Sequence, residues 1–156
     1  MFNKNFFYIS IIFFSFSFLR AEVSVDVHVK NLSKGTESEK MAACNFLGKE
    51  KSEKKYISEI QETLKLSDNS KVAIACANAL GYIQEKGSST TALKNKIMSE
   101  SNTDVVYACL VSILNIAIKN GYEPDAKSAV QYADINHRND EFVADLIDRI
   151  KIKFKE

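Results

Sequence analysis

Five side chains in this sequence are of types that carry nucleophilic, redox or metal chemistry: Cys44, Cys76, Cys109, His28 and His137. The cysteines recur at nearly equal intervals, and none has a second cysteine or a histidine at the short spacing of zinc sites. His28 follows Asp26 with one residue between them in Glu22-Val23-Ser24-Val25-Asp26-Val27-His28-Val29, a minimal pair of metal-ligand types. Alternation there puts Val23, Val25, Val27 and Val29 on one face and Ser24, Asp26 and His28 on the other, which predicts a short extended segment with a solvated polar side. His137 falls in Asp134-Ile135-Asn136-His137-Arg138-Asn139-Asp140, a predicted loop where His, Arg and Asp could meet a ligand. Asn139 and Asp140 also suit the start of a helix. No Gly-rich phosphate loop and no nucleophile elbow occurs. Sequence distance leaves a Cys–His nucleophile pair open, but the cysteines sit on apolar stripes, where a thiol is buried and inert. These residues assign no catalytic, cofactor or metal site, and partner-binding residues stay unassigned.

The elements that would position such residues are helical and repeated. Sliding the chain along itself until Ala43 falls on Cys76 lays Ala43-Cys44-Asn45-Phe46-Leu47-Gly48 on Cys76-Ala77-Asn78-Ala79-Leu80-Gly81. The same shift lays Val72 to Cys76 on Val105 to Cys109, and Ile60 and Leu64 map to Leu93 and Ile97. A fixed period of this size signals a stacked array. Val72, Ala75, Cys76, Ala79, Leu80 and Ile83 fall on one helical stripe, as do Val105, Ala108, Cys109, Ser112, Ile113 and Ile116. Small residues in mid-stripe allow neighbouring helices to approach closely. Helices are predicted near residues 39–50, 53–66, 70–85, 89–100, 103–119, 124–133 and 140–153. Ser38, Ser52, Asn69, Ser89 and Thr103 are expected N-caps, Gly87 and Gly121 helix ends, and Pro124 a first-turn residue.

Between Val105 and Ile118 only Ser112 and Asn115 are polar, so that helix is expected to be buried. Its expected cover is the last helix, through Phe142, Leu146, Ile147 and Ile150. Equivalent positions on stacked helices lie about 8–10 Å apart, beyond disulfide reach, so the three cysteines are expected as buried free thiols.

The N-terminus differs from the rest. Seven of the ten Phe lie between Phe2 and Phe18, and Phe6 to Leu19 is apolar apart from Ser10, Ser15 and Ser17. With Lys4 before it and Ala21 after it, the segment is read as a signal peptide, the alternative being a retained N-terminal anchor. Removing Lys4 and Arg20 leaves 19 basic against 20 acidic residues, which argues against nucleic acid as a partner. The expected organisation is residues 1–21 as signal peptide, 22–37 as an extended segment or linker, and 38–156 as the repeat domain.

The stretch Ser70 to Ile83, with Lys40 to Gly48, resembles the short HEAT-like repeats of bacteria, the type also found in phycobilisome lyases. Lys71-Val72 after Asp68, then Ala75 to Gly81, follow that pattern, and Asp104-Val105-Val106 is a second partial match. Lys71 or Val106 replaces the family's Arg, and the third repeat has Ile113-Leu114 in place of Leu-Gly. The resemblance spans about residues 38–120. It implies an all-α solenoid of about three helical hairpins plus a C-terminal helix.

Proteins of this kind mostly bind other proteins, because stacking makes an extended surface while leaving exposed positions free to vary. Some family members are metal-dependent hydroxylases with His-Glu pairs, and no such pair occurs here. The resulting expectation is an exported, non-enzymatic scaffold of the periplasm or envelope, without cofactor. Its partner is a protein, with membrane contact only if the N-terminal segment is retained. The alternatives are an accessory lyase-like or small-ligand-binding protein, or a structural subunit of an envelope complex. Glu59, Glu62, Asn95 and Lys96 are candidates to line a concave surface. The mixed-charge run Lys49 to Lys55 is expected to be a solvated turn.

Overall fold

The structure, a computed structural model, describes residues 24–155. The expected export segment lies outside them. Among the described residues there are eight α-helices and no strand: α1 (Val25–Lys34), α2 (Glu37–Asn45), α3 (Ile57–Leu66), α4 (Ser70–Ile83), α5 (Ser88–Ser99), α6 (Thr103–Asn120), α7 (Pro124–Asn136) and α8 (Glu141–Phe154). A π-helical segment, Phe46–Lys51, prolongs α2. Helices α2, α4 and α6 pack side by side in one layer, and α1, α3, α5 and α7 in a second. The pairs α1–α2, α3–α4 and α5–α6 join the layers, and α8 closes one end against α6 and α7.

This arrangement corrects the expected organisation at its start. Residues 25–34 form a helix, not an extended linker, and the packed unit begins before residue 38. The segment carries two periodicities at once. Its valines alternate, but Val25, Val29 and Leu32 also share a helical face. That face packs on the core, with Leu32 only 2% exposed, and burial outweighs the preference of β-branched residues for strands. The Thr63 hydroxyl donates to the Leu32 carbonyl at 3.1 Å, tying α1 to α3. The hairpin pairing predicted from sequence is therefore displaced by one helix, because α1 supplies a first helix that the repeat pattern did not reveal.

Helix starts follow side-chain capping. Asn69 accepts from the amides of Lys71 and Val72, as expected. Asn102 rather than Thr103 caps α6, and Thr36 rather than Ser38 caps α2, in a reciprocal box with Glu39. Asp140 caps α8, and Pro124 opens α7. Gly121 ends α6 at φ 92°, while Gln84 rather than Gly87 ends α4 in the left-handed region, and Gly87 instead precedes α5. Ser52 is no N-cap. It takes a left-handed conformation at the end of the π-helical segment, and its hydroxyl donates to the Gly48 carbonyl at 2.5 Å.

Both predicted stripes on α4 and α6 are buried. Helix α6 is apolar nearly all round because it touches α4, α5, α7 and α8. By length and composition alone it could cross a membrane, with mean hydropathy 1.3 over 18 residues. Its neighbours on four sides account for that composition. Leu146, Ile147 and Ile150 of α8 are buried, but Phe142 is 67% exposed and Val143 takes its place in the core.

The α2–α4–α6 layer is very closely packed. A Cβ added at Gly48 would overlap the Cα and Cβ of Ala79, and one at Gly81 would lie 2.9 Å from the Ser112 Cα. This proximity overturns the expectation for two cysteines. Cys44 and Cys76 form a disulfide, with Cα atoms 5.0 Å apart. The expectation used the average spacing of packed helices, and glycine and alanine bring these two closer. Cys109 alone keeps a free, buried thiol.

Two outcomes test this layer. An open helical glycine gains about 1 kcal/mol from alanine. For Gly81→Ala the sign reverses, to a loss of about 1–3 kcal/mol, measured by urea unfolding. The bridge joins positions separated by 32 in sequence, worth about 3–4 kcal/mol by the chain-entropy argument. The variant Cys44→Ser/Cys76→Ser loses that much, and alkylation of the denatured, unreduced chain modifies Cys109 alone.

Candidate functional site

The α1–α3–α5–α7 layer is more open than the other. Between α3 and α5 lies a cleft of about 580 Å³. Between α1 and α3 lies a second, of about 350 Å³. Glu62 lines both, so the two are neighbouring clefts on either side of α3. On α3 the cleft wall is Ser58, Gln61, Glu62 and Lys65, at i, i+3, i+4 and i+7. On α5 it is Ser88, Thr91, Ala92, Asn95 and Ser99, the same spacing carried one turn further. Each set is the helical face turned away from the buried stripe, which is why the walls are made of hydroxyl, amide and charged groups. Gln61 reaches across and donates to the Ser88 hydroxyl at 3.1 Å. The Lys96 ammonium donates to the Ser67 carbonyl at 3.0 Å and pairs with Glu100 at 3.1 Å, fixing it at the cleft wall. The α1–α3 cleft has a more apolar side, from Val29, Leu32 and Leu66, with Lys30 and Lys40 among its lining residues.

All four surface candidates named from sequence line these clefts. Glu62, Asn95 and Lys96 face the first, and Glu59 and Glu62 the second. Sequence reasoning missed Ser58, Gln61, Ser88 and Thr91. For Ser58 and Thr91 a signal was available: Ser58 maps to Thr91 by the shift that lays one repeat on the next, as Glu62 maps to Asn95.

Between α5 and α7 the layer is closed by hydrogen bonds. Glu123 accepts from the Gly87 amide at 3.0 Å and from the Thr90 hydroxyl. Asp125 accepts from Thr91 at 2.5 Å and from Lys94 at 2.6 Å. The Lys94 ammonium, helped by Thr91, holds the Asp125 carboxyl below its ordinary value.

The residues first considered for chemistry are dispersed. Among the described residues, no group of three or more His, Cys, Asp or Glu could hold a metal ion. His28 lies in the first turn of α1, its ring stacked on Phe46 at 4.1 Å, so its side is not the solvated face expected. His137 caps the end of α7 and is 8% exposed. The expected loop begins only there, since α7 runs to Asn136. Arg138 spans Asp134 at 2.5 Å and Asp148 at 2.9 Å, and Lys151 pairs with Asp134 at 2.5 Å. These groups fasten α7 to α8. Burial pushes the Cys109 thiol up to about 12, which leaves it protonated and unreactive.

No known family matches the chain, and neither a curated protein nor a solved structure matches it.

The ion pairs give the fold an acid limit. Lys151 first, then Arg138, hold the Asp134 carboxyl below its ordinary value. A carboxyl lowered on folding stabilises the fold above its unfolded value of about 3.9, and that gain disappears as pH falls through the lower folded value. The urea midpoint is therefore expected to fall as pH drops below about 4. In Asp134→Asn the midpoint is lower at neutral pH and its acid slope is shallower.

Proposed function

We propose that this chain is an exported scaffold that binds another protein along the α1–α3–α5 surface. The observation that carries the reading is the pair of neighbouring clefts on either side of α3, with Glu62 in the wall of both and hydrogen-bonding side chains at helical spacing. Such walls suit a polypeptide, whose backbone offers donors and acceptors along its length. Two layers of helices, each helix packed on its counterpart one repeat away, support a HEAT-like solenoid as the architecture. The Cys44–Cys76 disulfide is compatible with an oxidising compartment, and so with the signal peptide read in residues 1–21. The periplasm or the envelope is the proposed location.

A second reading has one observation in its favour. At about 580 Å³ the α3–α5 cleft falls within the size of small-molecule sites. A small-ligand-binding or lyase-like role would use that cleft alone.

Crosslinking mass spectrometry in native envelope separates the two. The scaffold reading expects crosslinks from the exposed Lys30 and Lys65 to one partner protein, lost at least tenfold in Glu62→Arg/Asn95→Arg. A variant that crosslinks like the natural chain sinks the reading. Thermal stabilisation by a small metabolite, with no protein crosslinked, selects the second.

A further inference from the structure

The turns that follow α2, α4 and α6 lie along one edge of the molecule, together with both ends of the described chain. His28 of the first turn of α1 stacks on Phe46, where α2 passes into the π-helical segment. Lys54 of the next turn pairs with Glu85 at 2.6 Å. Gly87 donates to Glu123, joining the turn after α4 to the turn after α6. Tyr122 stacks on Phe154 at 4.4 Å, which brings the end of α8 to the same edge.

Charge is unbalanced there. Glu53 and Glu85 are taken by Lys55 and Lys54. Glu123 is taken by Gly87 and Thr90. Lys49, Lys51, Lys86, Lys119, Lys153 and Lys155 have no carboxylate partner among the described residues, against four carboxylates without a cationic partner there, Asp26, Glu50, Glu59 and Glu123. Lys51 lies over the Phe46 ring, and the other five are exposed. Val27, Tyr82, Ile118 and Ile152 are exposed on the same edge. The opposite edge also exposes apolar groups, Leu66, Met98, Ile135 and Phe142. There they stand with the exposed carboxylates of Glu37, Asp68, Asp104 and Glu141, with Lys34 and Lys71 among them. Lysines at helix ends complement the helix dipole, but that accounts for neither the apolar neighbours nor the collection of so many unpaired cations on one edge.

A second feature shares this location. The chain enters the fold at the start of α1, on this edge, so the apolar stretch Phe6 to Leu19, if retained as an anchor and not removed as a signal peptide, is tethered here.

We infer that this edge lies against an anionic lipid surface. Its lysines meet the headgroups, and Val27, Tyr82, Ile118 and Ile152 reach the boundary of the acyl region. Basic groups interspersed with apolar ones are what such a surface attracts, at about fivefold in binding per lysine near it. The α3–α5 cleft begins near this edge, at Ser58 and Ser88, and runs away from it along the helices toward Ser99. The inference does not depend on a protein bound there.

The test uses the full chain on vesicles of phosphatidylglycerol and phosphatidylcholine, read by amide hydrogen exchange. Slowed exchange is expected at residues 49–55, 84–87 and 118–122, diminishing with salt. In Lys86→Gln/Lys119→Gln/Lys153→Gln the protection is lost, and salt-sensitive binding weakens about fivefold per lysine. Vesicle binding through the N-terminal segment alone leaves those turns unprotected and overturns the inference. So does equal protection on pure phosphatidylcholine, or protection by dextran sulfate with none on vesicles.

Discussion

The close approach of α4 to its neighbours on both sides is the constraint on which the other features depend. Gly48 meets Ala79 on one side, and Gly81 meets Ser112 on the other, with no room for a further methyl at either contact. The disulfide from Cys44 to Cys76 fixes the first contact covalently. Three helices held this closely in one layer set the positions of the helices joined to them by short turns. The second layer carries larger and more polar side chains between its helices, so it cannot close to the same spacing. Clefts remain between α1 and α3 and between α3 and α5. Between α5 and α7, Glu123 and Asp125 bridge the gap with hydrogen bonds to α5 and the glycine before it. The open surface therefore results from unequal packing in the two layers, and it ends where polar groups seal the second layer.

The same stacking organises charge. Parallel helices in a layer align their ends, so each type of turn recurs on one edge. Asp104 in the first turn of α6 and Lys119 in its last both oppose the helix dipole, and α8 repeats the arrangement with Glu141 and Lys153. Each placement of this kind stabilises one helix a little. The antiparallel second layer carries the reverse placement, Asp26 with Lys34 and Glu59 with Lys65, so the dipole alone does not sort the charges, and the lysines of the turns after α2, α4 and α6 add to one edge although the sequence total is only +1. A near-neutral composition thus conceals two edges of opposite character, which no composition average can show.

The core was legible in the sequence because its demand is periodic. Small and aliphatic residues recur at helical spacing on α4 and α6, and each predicted stripe position there is buried. The start of the fold was not legible. Val25, Val27 and Val29 satisfy an alternating pattern and a helical one equally well, and only contact with the core through Leu32 decides between them. The disulfide was missed because average helix spacing was applied to a pair with small residues at the contact. The site was partly legible: Glu62 and Asn95 stand out as polar positions one repeat apart. Their companions Gln61 and Ser88 do not, since a polar face carries no signal of how far away the next helix lies.

Where the repeat decays is also informative. Leu47-Gly48 and Leu80-Gly81 recur, but the third copy has Ile113-Leu114. Glycine at this place serves the contact with the next helix of the layer, as Ala79 and Ser112 show. After α6 no helix continues the layer at that spacing. Helix α8 crosses to pack on both α6 and α7, fastened to α7 by Arg138 and Lys151, and Leu114 packs against the core as a partly buried side chain. A glycine there would weaken α6 by its own flexibility with no close contact to offset the loss. The departure from the pattern thus has a local physical cause: it marks the end of the close-packed layer, and the sequence changes where the packing demand changes.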